Sequence, residues 1–126
     1  MKYGDLTGQI IGCAMKVHSF LGSWFPEKIY QKALGIEMSA ANLAYHEEMT
    51  MSIYYRETKI GYRSVDFFVE DKIMVELKAV IELNDTHLAQ AINYLEDYKL
   101  PVGLLINFGS KSLTFKRVYN TKHPDN

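Results

Sequence analysis

The sequence predicts an α/β layer domain with elements in the order ααβββαββ and about five strands. Three observations predict it. Apolar residues recur at helical spacing in two segments before Asn42 and in a third after Asn84. Between them lie strand-like runs that alternate or are continuously apolar. The connections are short, and no repeat, linker or low-complexity tract interrupts them. A length of 126 residues suits a single domain over residues 1–126.

The first helix is read from Leu6, Ile10, Ile11, Ala14, Val17, His18 and Leu21, with Asp5 or Thr7 as its cap and Gly22-Ser23 as its break. Pro26 suits the first residue of a second helix, and Glu27 suits its positive first turn. That helix carries Ile29, Tyr30, Ala33, Leu34 and Met38, and fades near Ala41-Asn42. Next, Met49, Met51 and Ile53 alternate with Thr50, Ser52 and Tyr54, as in a half-buried strand. "YRSVDFFV" and "IMVELKAV" follow, separated by the turn-forming Glu70-Asp71-Lys72. Asn84 or Asp85 caps a third helix with Leu88, Ala91, Ile92 and Leu95 on one face and Pro101 beyond its end. "VGLLINF" reads as a buried strand and "LTFKRVY" as a more exposed last one.

Hydrophobic residues make up 48% of the chain and charged residues 23%, a composition that builds a core without crosslinks. The only cysteine, Cys13, excludes an intrachain disulfide framework and a cysteine-cluster zinc site, so a reducing cytoplasm is the expected compartment. No signal-peptide pattern is expected, and no apolar run nears the ~20 residues that span a membrane. The net charge of −1 argues against non-specific phosphate binding over the whole surface, so any nucleic-acid role must rest on a local site.

"IMVELKAV" sets Glu76 and Lys78 inside an apolar strand. A three-residue loop centred on Asp71 pairs Val69 with Ile73, Phe67 with Val75, and Asp66 with Glu76. Lys78 then shares the face of the two acids, and Val75, Leu77 and Ala79 take the other. Two facing carboxylates repel unless one keeps its proton or a cation lies between them. Mg²⁺ or Mn²⁺ takes one or two carboxylates together with waters and a substrate phosphate, and the Leu77 carbonyl is a further candidate ligand. Lys78 would then stabilise charge on the phosphate or hold the attacking water. Spacing alone fits an exposed ion-pair face somewhat better, with Glu76 paired to Lys78 and Asp66 to Arg63 or Lys78.

The N-terminal "IIGCAMKVHSFLGSWFPEKIYQKAL" resembles the signature of the GxxExxY protein family, a bacterial and archaeal branch of the PD-(D/E)XK nuclease superfamily. "RSVDFFVEDKIMVELKAV", "HLAQAINYL" and "VGLLINFG" continue the likeness in order, from about Leu6 to Val118. The resemblance implies a restriction-endonuclease-like core, a mixed sheet flanked by helices. It implies a Mg²⁺-dependent (or Mn²⁺-dependent) nuclease acting on nucleic acid. DNA is expected ahead of RNA and no membrane role is expected, and a domain this small would use a second copy, as a homodimer, to grip a duplex. Asp66 matches the superfamily's first acidic position, and Glu76 and Lys78 match its E-x-K. Glu27 matches an N-terminal acid that adds a ligand or orients water. The implied metal ligands are thus Asp66, Glu76, Glu27 and the Leu77 carbonyl. Gln90 and Tyr94 match a Q-x-x-x-Y helix motif: Gln90 joins the catalytic set and Tyr94 supports it. The likeness departs at Trp24, which stands where the family has its first glycine, so Gly22 is expected to supply the turn there. A nuclease fold that binds without cutting is the alternative, since a fold does not set a function.

The remaining features have plainer readings. His18 is expected to be a hydrogen-bonded packing residue and no metal ligand, and Trp24 and Phe25 are expected to pack. Tyr54, Tyr55, Tyr62, Arg56, Lys59 and Arg63 interleave aromatic and basic residues as nucleic-acid surfaces do, yet fit an ordinary two-faced strand pair better.

Overall fold

The computed structural model describes residues 3–126. Two helices, α1 (Gly4–Leu21) and α2 (Glu27–Ala40), precede three strands, β1 (Tyr45–Tyr55), β2 (Thr58–Val69) and β3 (Ile73–Lys78). Helix α3 (Asp85–Asp97) and strands β4 (Val102–Asn107) and β5 (Thr114–Tyr119) complete the expected order. The five strands form one sheet in sequence order. Only β3 and β4 run parallel, because α3 carries the chain back across the sheet between them.

Helices cover both faces. Ile10, Ala14, Val17, Tyr30, Leu34 and Met38 of α1 and α2 bury Phe67, Val75, Leu77, Leu104 and Ile106. On the other side Ala91, Tyr94 and Leu95 of α3 bury Val65, Met74 and Leu105. Strand β4 is buried along its whole length, which explains its unbroken apolar run.

The helix boundaries follow their caps. Asn84 caps α3 as expected: its side chain accepts the His87 N–H at 3.0 Å, and His87 Nδ1 accepts the Asn84 N–H at 3.2 Å. Helix α1 departs from expectation, because it starts at Gly4 without a side-chain cap. Thr7 is buried inside it, donates back to the Tyr3 and Gly4 carbonyls, and accepts from Arg117 Nε at 3.1 Å. Pro26 stands at the cap of α2, one residue earlier than expected, and leaves Glu27 as the first helical residue.

The β2–β3 register is the one a loop centred on Asp71 predicts, with Val69 opposite Ile73 and Phe67 opposite Val75. The ladder stops there. Phe67 belongs to the α1–α2 core and Val65 to the α3 core, so strand alternation reverses across Asp66. Opposite this point, between Glu47 and Met49, Glu48 adopts a left-handed φ of 53°. The reversal frees Asp66 from regular pairing.

The exit of β3 is clamped. Asn107, fully buried, accepts N–H bonds from Val80 and Gly109 and donates to the Val80 carbonyl at 2.9 Å. The Phe108 N–H donates to the Lys78 carbonyl at 2.8 Å. Gly109 lies so close that an added Cβ would sit 2.3 Å from the Val80 nitrogen and 2.4 Å from its oxygen. Main chain cannot yield as a side chain does, so Gly109→Ala is expected to destabilise the protein by about 3 kcal/mol in urea denaturation. A change below about 0.5 kcal/mol would show that the clamp does not hold in solution.

Candidate active site

Asp66 and Glu76 meet where the β2–β3 ladder ends. Asp66 Oδ2 accepts the Leu77 N–H at 2.7 Å, and the Asp66 main-chain N–H serves the Glu76 carboxylate. The Gln31 amide reaches the Asp66 carbonyl at 3.5 Å. Each acid is therefore aimed by main-chain groups next to the other.

A cleft of about 210 Å³ opens between β2, β3 and α3. Glu76, Lys78, Gln90 and Tyr94 line it together with Arg63, Ser64 and His87. Asp66 and Glu27 are not part of its wall. Both nevertheless act on it electrically. Burial pushes the Glu76 carboxyl up to about 8, the Asp66 charge adds to this, and the Lys78 ammonium pulls back. Burial also raises Asp66, against the Leu77 N–H and the Lys78 charge. Glu27 is raised by burial and by Asp66, and lowered by Lys78. One lysine is thus a shared counter-charge for three acids.

The ion-pair alternative is not what forms. Among the described residues no pair within 4.0 Å involves Asp66, Glu76 or Lys78. Arg63 reaches Asp97 at 3.7 Å and lies over the rings of Tyr94 and Tyr98, 4.5 Å and 5.4 Å from their centroids.

Sequence reasoning placed Arg63 on a strand pair and overlooked Ser64 and His87 as cleft residues. The signal for His87 was its position three residues after the Asn84 cap. The cap occupies Nδ1 as an acceptor, which puts the proton on Nε2 and leaves that N–H for the cleft.

Two observations test whether these residues suit a divalent cation. Asp66 and Glu76 are aimed together by main-chain groups, and burial, followed for Glu76 by the Asp66 charge, raises both carboxyls. The Tyr94 hydroxyl, on a cleft-lining residue, is buried with no hydrogen-bond partner among the described residues, and Arg63, whose Nε is likewise unpartnered, is a cationic donor that suits a phosphate and not the metal ion. Among the described residues no three carboxylate, imidazole or thiolate groups converge as a metal cage, so Glu27 does not complete one. The set fits a cation held by two carboxylates that completes its shell with water and phosphate, which is the habit of Mg²⁺.

A family model described as the PD-(D/E)XK nuclease superfamily matches residues 4–118. The chain belongs to the PD-(D/E)XK nuclease superfamily. No curated protein matches it significantly. The crystal structure of SSO0001 superposes with a TM-score of 0.59 at 14% identity, over 94% of this chain and 60% of that one. The chain thus spans about 60% of the length of SSO0001, and the likeness is one of fold. A mixed five-stranded sheet flanked by helices agrees with the restriction-endonuclease-like core expected of the superfamily. No helix among the described residues is long and apolar enough to cross a membrane.

The segment before Glu27 shows how this superfamily member is built around Trp24. Gly22 takes the left-handed turn at φ 75°, as expected, and its carbonyl accepts the Tyr30 hydroxyl. Tyr30 is buried and stacks on Phe108 at 4.7 Å, and His18 Nε2 bonds to the Ser110 carbonyl at 2.9 Å. His18 is therefore the packing residue expected. Trp24 is not packed: it is 88% exposed, because Tyr30 fills the space beneath the turn. Trp24→Ser is expected to change stability by no more than about 0.5 kcal/mol in urea denaturation. A loss several times larger would show that Trp24 packs after all.

Proposed function

We propose that the chain is a Mg²⁺- or Mn²⁺-dependent nuclease of the GxxExxY type that hydrolyses phosphodiester bonds, with DNA preferred over RNA. The observation that carries this reading is the convergence of Asp66, Glu76 and Lys78 where the β2–β3 ladder ends, beside a cleft with unpartnered buried donors. Asp66 and Glu76 would hold the cation, with the Leu77 carbonyl as a further oxygen ligand. When bound, a divalent cation activates water and neutralises charge building on the phosphate. Lys78 sets its ammonium against the phosphate oxygens and the attacking water. Gln90 and the Tyr94 hydroxyl orient the substrate from α3, and Arg63 and His87 offer N–H donors to its phosphates. Glu27, at the start of α2 and coupled to Asp66, positions water from the outer side.

The test is a panel of labelled nucleic acids incubated with Mn²⁺, comparing wild type with Asp66→Asn. Cleavage of at least one substrate that disappears in the variant is expected. Cation binding without cleavage of any substrate would leave a binding module on a nuclease fold, and cleavage surviving in Asp66→Asn would move the site elsewhere.

A further inference from the structure

Beyond the cleft, β1 and β2 continue as a two-stranded arm that no helix covers. Tyr54 and Tyr55 are each 62% exposed and Tyr62 is 67% exposed. The register places Ser52 opposite Tyr62 and Tyr54 opposite Lys59, so Tyr54, Tyr62 and Lys59 share one face. Tyr55 lies on the other face with Arg56 over its ring, 5.8 Å from the centroid. These residues lie on an ordinary two-faced strand pair, as expected, and Tyr54, Tyr55, Tyr62, Arg56 and Lys59 meet solvent on its two faces. Past Arg63, which is paired with Asp97, residues 53–62 carry Arg56 and Lys59 against Glu57 alone, in a chain whose net charge is −1. The arm is a local cationic region on a weakly acidic protein.

Continuity links it to the site. Tyr62 and Asp66 lie on the same strand, ~13 Å apart along it. Tyr55 continues the side of β1 on which Met51 faces Arg63 and α3, the side of the cleft, and Tyr54 and Tyr62 take the reverse side of the same edge ribbon.

We propose that this arm is a stacking platform for a single-stranded segment of the nucleic acid whose backbone enters the cleft, an inference that rests on the nuclease reading. Unpaired bases offer π faces to Tyr54, Tyr62 and Tyr55, and Lys59 and Arg56 follow the phosphates. Bases in a duplex already stack on one another and show only their edges in the grooves. A second copy of this chain is the weaker occupant. A two-fold interface through the arm would gather Arg56 and Lys59 of both copies into one patch with only Glu57 of each to offset them.

The test is fluorescence anisotropy in EDTA with a labelled oligothymidylate and a labelled blunt duplex of equal length, on wild type and Tyr54→Ala/Tyr62→Ala. Both substitutions are at exposed positions, and equal thermal melts confirm that the variant is folded. The expected result is a rise of about 100-fold in Kd for the single strand, with about 3-fold or less for the duplex. Equal losses on both ligands, or no loss on either, would overturn the proposal. So would a wild-type dimer that the two substitutions turn into a monomer in sedimentation. Because no cleavage is read, the two readings fail separately. A protein that cuts nothing but loses single-strand binding in the variant keeps the arm and loses the nuclease. One that cuts while its single-strand Kd is unchanged in the variant keeps the nuclease and loses the arm.

Discussion

Glu76→Gln is expected to make the metal-free protein more stable at about pH 8, by about 3 kcal/mol, and to remove the stabilisation that the proposed site would draw from Mg²⁺. The reason is the environment that raises Glu76 from an ordinary 4.5 to about 8, chiefly burial and then the Asp66 charge. Between those two values the folded chain keeps a proton that the unfolded chain has lost. The stabilisation this gives is complete below the unfolded value and fades as the pH rises through the folded one. Asp66 and Glu27, also raised, act in the same direction. Glutamine does not titrate, so the variant should hold its stability where wild type declines. Mg²⁺ at about 100 times its Kd would add about 2.7 kcal/mol to wild type and little to the variant, which closes most of the gap between them. Urea denaturation at about pH 5 and about pH 8, with and without Mg²⁺, measures all four corners. A wild type that gains stability with pH in the absence of metal would mean that Glu76 is not the strained acid described.

If the chain is the nuclease proposed, Lys78→Ala is expected to lower cleavage by about 10²–10³ while leaving the fold in place. Lys78 is the counter-charge to Glu76, Asp66 and Glu27, lowering all three. Its removal therefore raises these acids further, and the pH profile of the residual activity should move to higher pH. The two effects together separate a catalytic lysine from a structural one. Loss of a merely structural lysine would lower activity and thermal stability together, without displacing the profile. Rates within about 3-fold of wild type across pH would remove Lys78 from the mechanism.

The parts of the fold set by local chemistry were legible in the sequence. The Asn84 cap, the stop at Gly22 and the turn at Asp71 each depend on residues within a few positions, and each lies where expected. The register followed from the turn, which is why Phe67 and Val75 were placed correctly opposite each other. Features built from distant segments were not legible. Asn107 lies within the run read as a buried strand, and its partner Val80 is joined to it only when β3 and β4 lie parallel. The reversal at Asp66 lies opposite Glu48, whose left-handed conformation no propensity favours for glutamate. Trp24 was expected to pack because it is large and apolar, yet Tyr30 had already filled that place. Asp66, Glu76 and Lys78 are brought together as a group, but through a broken ladder rather than a regular one. The cleft residues Ser64 and His87 carry no motif of their own and are recognised only by what they line.

The most direct test of the whole account is calorimetric titration of Mn²⁺ into the protein near pH 7.5, repeated in buffers of different ionisation enthalpy. If Asp66 and Glu76 hold the cation, binding must expel the proton that burial keeps on Glu76, so the heat will report proton release together with binding. Glu76→Gln should show neither. Wild type that takes up no Mn²⁺, or binds it with no proton release and with equal affinity in the variant, would contradict a metal centre at these two acids.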